Sequence, residues 1–211
     1  MEVLSEEEKN QYFKAAEQGD VNAQNELGRM YYLGDGVPKD YAKAAEWYGK
    51  AAEQGDAIAQ YLLGLLYLSR IPQESAKAAE WFGKAAEQGN ANAQCSLGVA
   101  YRAGQGVPQD YAKAAEWFSK AEEQGNTEAQ YNLGLLYDAG NGVPQDYAKA
   151  AEWYGKAAEQ GNAKAQLCLG FLYENGQGIP QDYAKAAEWY GKAAEQGLAE
   201  AQFFLGLLYS D

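Results

Sequence analysis

Six copies of Leu-Gly, each with a tyrosine three residues after the glycine, divide the chain at a near-constant interval. The glycines are Gly28, Gly64, Gly98, Gly134, Gly170 and Gly206, spaced by 36, 34, 36, 36 and 36 residues. Tyr31, Tyr67, Tyr101, Tyr137, Tyr173 and Tyr209 follow them. Five tryptophans (Trp47, Trp81, Trp117, Trp153, Trp189) and all five prolines (Pro38, Pro72, Pro108, Pro144, Pro180) keep the same step. A period of this length marks stacked supersecondary units, none of which buries its apolar side alone. The 211 residues are therefore expected to form a single repeat domain, 1–211. Its parts are a half repeat 4–19, repeats 20–55, 56–89, 90–125, 126–161 and 162–197, and a half repeat 198–211.

Each unit reads as two helices. Helix A carries Ala-Gln-x-x-Leu-Gly-x-x-Tyr with apolar residues at helical spacing. It stops at Gly-x-Gly (Gly34 and Gly36 first), where a positive φ is cheap only for glycine. Helix B is Tyr-Ala-Lys-Ala-Ala-Glu-Trp-Tyr-x-Lys-Ala-Ala-Glu-Gln, and Asp40, Asp110, Asp146 and Asp182 stand ready to cap it. Asp20, Asp56, Asn90, Asn126 and Asn162 have the same role before helix A. Turns of a few residues force neighbouring helices to pack antiparallel. The segment Leu68 to Ser75 departs: it lacks Gly-x-Gly, has Glu74 for the capping Asp and Ser75 for Tyr, and predicts a locally altered twist.

The combined pattern, Ala-x-Ala-Gln-x-x-Leu-Gly-x-x-Tyr-x-x-Gly-x-Gly-Val-Pro-x-Asp-Tyr-x-Lys-Ala-x-x-Trp-Tyr-x-Lys-Ala-Ala-Glu-Gln-Gly, resembles the Sel-one-like repeat (SLR) of bacterial type. That family is a relative of the tetratricopeptide repeat, and the resemblance covers the chain from about Gln11 to the end. It implies an all-α fold, a right-handed α-solenoid of stacked antiparallel helix pairs with about 12 helices. It also implies a scaffold or adaptor that binds a partner protein or peptide in a concave groove lined by helix A. Bacterial members include toxin-immunity proteins and regulators, so a protein that neutralises a partner is the alternative. One branch, the Helicobacter cysteine-rich proteins, has a disulfide in each repeat and is linked to penicillin hydrolysis. This chain has only Cys95 and Cys168, and a β-lactam hydrolase-like activity does not carry over.

Comparing the repeats with one another separates two faces of helix A. The Ala five before the glycine, the Gln four before, the Leu one before and the Tyr three after hardly vary, and at 100° per residue they share the packed side. Positions six and three before the glycine, and one, four and five after, vary and point away. In this register the candidate partner-binding residues are Arg29, Tyr32, Tyr61, Leu65, Leu68, Val99, Arg102, Tyr131, Leu135, Asp138, Leu167, Phe171 and Glu174. Asn22, Asn25, Ile58, Asn92, Cys95, Glu128, Lys164, Glu200, Phe203 and Leu207 extend the same rows. An apolar strip edged by polar residues suits an extended peptide or an amphipathic helix. The plainer reading is that these residues only pack one helix A against the next. Arg29, Arg70 and Arg102 lie in the first half, and Glu128, Asp138, Glu174 and Glu200 in the second. A partner with one acidic and one basic end would match, although ordinary solvated surface also accounts for this distribution.

Composition prunes the chemistry. There is no histidine, which removes Ser-His-Asp and Cys-His nucleophiles and imidazole metal sites. The recurring carboxylates sit in caps or in the Lys43, Glu46, Lys50, Glu53 stripe, a solvated helix face. No catalytic residue, metal site or cofactor is assigned, and the chain reads as a non-enzyme. A net charge of −13 opposes nucleic acid and favours a neutral to basic partner. No apolar run approaches the roughly 18 residues of a membrane span, so membrane insertion is not expected. The acidic start, Met1-Glu-Val-Leu-Ser-Glu-Glu-Glu-Lys, is unlike a signal peptide. The compartment stays open: cytoplasmic as given, or periplasmic or secreted if a signal was removed. The tryptophans are expected in the core, and the two cysteines as small apolar residues. The half repeats are complementary, so head-to-tail self-association is one expectation; a longer array or a terminal helix acting as cap are the others.

Overall fold

Capping chemistry decides where each helix starts. In the computed structural model, which describes residues 6–70 and 74–209, the Asp40 side chain accepts from the Ala42 and Lys43 amides at 3.0 Å. Asp146 and Asp182 accept from Lys149 and Lys185 at the same distance. Asp20 caps Ala23 at 2.7 Å, and Asn90, Asn126 and Asn162 cap Ala93, Ala129 and Ala165 at 2.9 Å. Twelve α-helices and no strand result among the described residues. They are α1 (Glu6–Glu17), α2 (Val21–Leu33), α3 (Tyr41–Glu53), α4 (Ala57–Arg70), α5 (Ser75–Glu87), α6 (Ala91–Ala103), α7 (Tyr111–Glu122), α8 (Thr127–Ala139), α9 (Tyr147–Glu159), α10 (Ala163–Asn175), α11 (Tyr183–Glu195) and α12 (Ala199–Leu208). Even numbers are helix A and odd numbers helix B. Glu74, in the cap position of α5, makes no side-chain cap hydrogen bond. The altered twist expected around it falls partly on residues 71–73, outside the described residues.

The two glycines of Gly-x-Gly do different jobs. Gly34 takes φ 78° and closes α2, its amide and that of Asp35 both donating to the Met30 carbonyl. The second glycine also has positive φ, but its main constraint is space. A Cβ on Gly142 would lie 2.4 Å from the Tyr111 carbonyl carbon, and one on Gly178 2.3 Å from the Ala148 amide nitrogen. The loop therefore rests on the first turn of the preceding helix B.

By backbone proximity the chain forms two compact units, residues 1–109 with α1 to α6 and residues 110–211 with α7 to α12. Within each, every helix packs on its sequence neighbours. The Leu-Gly glycine sets the closeness of that packing. A Cβ on Gly28 would meet the Tyr48 ring at 2.5 Å, on Gly64 the Phe82 ring at 2.6 Å, on Gly134 the Tyr154 ring at 2.4 Å and on Gly170 the Tyr190 ring at 2.6 Å. The alanines of helix B complete the contact: Ala44, Ala114, Ala150 and Ala186 are fully buried.

The invariant glutamine of helix A lies in this core. Gln24 Nε2 donates to the Ala16 carbonyl of α1 at 3.1 Å, while Gln24 Oε1 accepts from Gln54 at the end of α3 at 2.8 Å. Gln60 links Ala52 and Gln88 in the same way, and Gln166 links Ala158 and Gln196. One amide thus ties three successive helices. The tryptophans depart from the expectation. Trp47 is buried but Trp81, Trp117, Trp153 and Trp189 are half-buried. Each carries the ammonium of the lysine three residues on, 3.8–4.0 Å from a ring centroid. One side of the ring is packed and the other is roofed by a charged side chain, worth about 0.5–1 kcal/mol at such exposed sites.

Two stability predictions follow from the packing. Gly134→Ala forces the Tyr154 ring to shift and should cost about 1–3 kcal/mol, whereas Gly155→Ala, in a helix with open space around it, should gain about 0.5–1 kcal/mol; urea midpoints of the two variants should move in opposite directions. Gln166→Leu keeps the volume but removes two side-chain hydrogen bonds, leaving the Ala158 carbonyl to its backbone donors and the exposed Gln196 amide to water, and should lower stability by about 0.5–1.5 kcal/mol in the same titration.

Candidate protein-interaction face

In the first unit the candidate residues lie along helices α2, α4 and α6, and Arg29, Tyr32, Tyr61, Leu65, Leu68, Val99 and Arg102 are all half-buried. Their surroundings differ. Arg29 Nε binds Glu26 at 2.9 Å and its Nη1 reaches Asp35 at 3.5 Å; the Glu26 hydrogen bond raises its pKa further. The Tyr32 ring meets Tyr41 edge-on at 5.6 Å. Tyr61 tilts against Phe82 at 6.0 Å, its hydroxyl pushed up by burial and pulled back by a hydrogen bond to Ser96. Leu68 and Val99 border a cavity of about 20 Å³ whose wall includes Ser75 and Phe82. The Arg102 Nε is buried without a hydrogen-bond partner. Of the other arginines in this half, Arg29 is neutralised by two carboxylates and Arg70 stacks over the Tyr41 ring at 4.5 Å. The basic character read from three arginines is correspondingly reduced.

In the second unit Tyr131, Leu135 and Asp138 lie on α8, and Leu167, Phe171 and Glu174 on α10. All are half-buried except Phe171, which is 43% exposed. On α12, Phe203 and Leu207 are 63% and 47% exposed. Tyr131 tilts against Tyr154 at 6.0 Å. The Tyr154 hydroxyl donates to Asp138 Oδ2 at 3.2 Å, and the Tyr190 hydroxyl donates to Glu174 Oε2 at 2.6 Å.

The aromatic residue after four of the five tryptophans (Tyr48, Phe82, Tyr154, Tyr190) was not among the sequence candidates, yet it lies on the Leu-Gly glycine and reaches helix-A face residues. A signal was present: tyrosine at 154 and 190 accompanies a carboxylate at 138 and 174, while Phe82 accompanies Leu68. Cys95, placed on the face by the helical arithmetic, is buried with 6% exposure, because its neighbours close over a small side chain. Neither cysteine forms a disulfide, and burial pushes the Cys168 thiol up to about 11. Among the described residues no group of three or more Cys, Asp or Glu is placed to hold a metal ion, and no helix is long and apolar enough to cross a membrane.

The Sel1 repeat family model matches residues 21–56, 57–90, 91–126, 127–162, 163–198 and 199–211. The chain belongs to the Sel1 repeat family. Among solved structures it is similar to c5321, a protective antigen of uropathogenic Escherichia coli with an SLR fold, at 42% identity and TM-score 0.87. That match covers 94% of this chain and 43% of c5321, so the chain spans less than half of that relative. A Sel1 repeat protein from Oxalobacter formigenes is 35% identical, with 96% and 90% of the two chains covered and TM-score 0.83. The immunity protein PA5088 from Pseudomonas aeruginosa is 26% identical, with 89% and 72% covered and TM-score 0.58. No match was found among curated proteins. Sel1 repeat proteins are protein-interaction scaffolds, generally without catalysis, and bind protein partners.

The buried tyrosines give this Sel1 repeat chain a pH signature. Burial pushes Tyr48 from 10.0 up to about 12. Tyr154 and Tyr190 are raised further, burial again coming first, followed by Cys168 and Asp138 for Tyr154 and by the Glu174 hydrogen bond for Tyr190. Below pH 10 folded and unfolded states both keep the protons. Above it the unfolded tyrosines ionise first, so stability falls as pH rises through the window from about 10 to about 12. Thermal unfolding across that window should show a falling Tm, with a shallower slope in Tyr154→Phe.

Proposed function

We propose that the chain is a binding scaffold that holds a partner protein or peptide on the helix-A faces of its two units. The carrying observation is the contrast within one register. At the position after the glycine the repeats present Arg29, Leu65, Val99, Leu135, Phe171 and Leu207, while the packed positions of the same helices stay constant. Residues that build the stack are copied, and residues that only face outward are not. Exposed apolar side chains at Ile58, Phe171, Phe203 and Leu207 fit a surface that gains from being covered. The acidic balance favours a neutral to basic partner and hastens its encounter.

A second reading, an immunity or regulatory protein that neutralises its partner, is favoured by the likeness to PA5088. It uses the same face and differs in what the partner loses on binding. Head-to-tail stacking gains no support from the register. Aligned on Ala-Ala-Glu-Gln-Gly, α1 has Glu8 where α3 has the fully buried Ala44.

A photo-crosslinking residue introduced in cells of the source organism at Phe171 or Ile58 should capture one discrete protein, and the same residue at Glu188 on helix B should not. Purified partner should then bind Phe171→Glu at least about tenfold more weakly, the loss expected for a buried apolar anchor, with helical circular dichroism unchanged. Capture from position 188 alone would sink the assignment.

A further inference from the structure

Resting on that scaffold reading, we propose that the helix-A face of the second unit docks a cationic amphipathic segment, with lysine or arginine head groups seated on Asp138 and Glu174. Asp138 and Glu174 of helix A differ from Glu152 and Glu188 of helix B in what they contact. On helix B, Glu152 pairs with Lys156 at 3.3 Å and Glu188 with Lys192 at 2.7 Å. On helix A, Asp138 and Glu174 each accept one tyrosine hydroxyl, and no lysine or arginine pairs with either among the described residues. Residues 110–211 hold 15 acidic and seven basic side chains, and six of those seven lie on helix B, leaving Lys164 as the cation of the helix-A rows.

The apolar centre beside these carboxylates, Leu135, Phe171 and Leu207, is half-buried to exposed. An occupant that covered it without supplying positive charge would strip water from Asp138 and Glu174 and give nothing back. An anionic occupant would be repelled outright. A cationic amphipathic helix or extended segment meets both demands, its apolar side on the leucine and phenylalanine side chains and its cations on the free carboxylate oxygens. The tyrosines act as positioning residues. Each pins one carboxylate oxygen, and the other accepts no hydrogen bond among the described residues. In the first unit the corresponding pairs, Tyr32 with Tyr48 and Leu68 with Phe82, contain no carboxylate.

The test uses the full chain and two fluorescent peptides of about five helical turns, one built from leucine and lysine and the other from leucine and glutamate. Fluorescence anisotropy should show binding of the leucine–lysine peptide, weakening steeply between about 50 and about 200 mM salt, and little binding of its acidic counterpart. Asp138→Asn with Glu174→Gln should weaken binding about tenfold or more; the amides still accept the tyrosine hydroxyls, so folding is preserved. Glu152→Gln with Glu188→Gln removes equal charge from helix B and should change binding less than about twofold. Tyr154→Phe with Tyr190→Phe should fall between the two pairs and flatten the salt dependence. Equal losses in the two carboxylate pairs would reduce the effect to bulk charge and overturn the proposal, as would failure of the leucine–lysine peptide to bind or equal binding of the leucine–glutamate peptide. Capture of a natural partner through position 171 that is indifferent to the Asp138 and Glu174 changes would overturn the cationic assignment alone and leave the scaffold intact.

Discussion

One buried amide per repeat boundary, that of Gln24 and its equivalents, joins the end of one helix B, a helix A and the end of the next helix B. The choice of a neutral amide is physical. The site is 3–6% exposed at Gln24, Gln60, Gln94, Gln130 and Gln166, so a charge there would pay a desolvation cost with no counter-ion at hand. An apolar residue would take one donor from the last-turn carbonyl of helix B and leave it to the turn amide alone. A side chain that both donates and accepts, on a stem long enough to reach across, satisfies both neighbours at once. The contact recurs in full at Gln60 and Gln166 and in part at Gln130, so the helices it joins hold one relative placement, and the glycine–ring contacts of Gly28, Gly64, Gly134 and Gly170 can then be close.

This arrangement divides the labour of helix A. Its packed side is overdetermined: alanine, glutamine, leucine and glycine each answer a distinct steric or hydrogen-bonding demand, and exchanging any of them disturbs a neighbour. Its outward side makes contacts that differ from repeat to repeat, Tyr61 on Phe82 in one and Asp138 on Tyr154 in another, so no single residue is required there. A scaffold needs that separation, since a surface that can be rewritten without unfolding the stack is a surface that can be fitted to a partner.

The period, the capping residues and the Gly-x-Gly stop were legible in the sequence, because each depends on local backbone chemistry that a residue carries with it. The packed side of helix A was legible too, since constancy among repeats stands in for burial. What escaped was cross-helix. Tyr154 and Tyr190 look like interchangeable aromatics until the ring on Gly134 or Gly170 is seen to carry a hydroxyl to Asp138 or Glu174. The tryptophans looked like core because they are large and periodic; that Lys84 or Lys192 would roof the outer face of the ring required knowing that only one face was covered. Arg29 read as a free cation, and only the turn that brings Asp35 beside Glu26 shows it to be spent. Cys95 fell on the variable register by helical arithmetic, yet its neighbours leave room only for a buried thiol.

The meaning of the net charge changes accordingly. Summed over the chain, −13 describes mostly the helix-B motif, whose glutamates and lysines pair along the same helix and whose exposed pairs are worth a few tenths of a kcal/mol each. Most of those charges offer little to a ligand, since Glu46, Glu80, Glu152 and Glu188 each have a lysine within reach, and the surplus, the last glutamate of each motif, is exposed to water at the helix end. The charges that matter for recognition are the few held off from partners by their position on helix A, where a tyrosine hydroxyl satisfies a carboxylate without neutralising it. A hydrogen bond from a neutral donor fixes the geometry of the anion and leaves its charge intact. On the proposed reading, then, the acidity that selects a ligand belongs to particular tyrosine–carboxylate pairs, and the larger total belongs to the repeat.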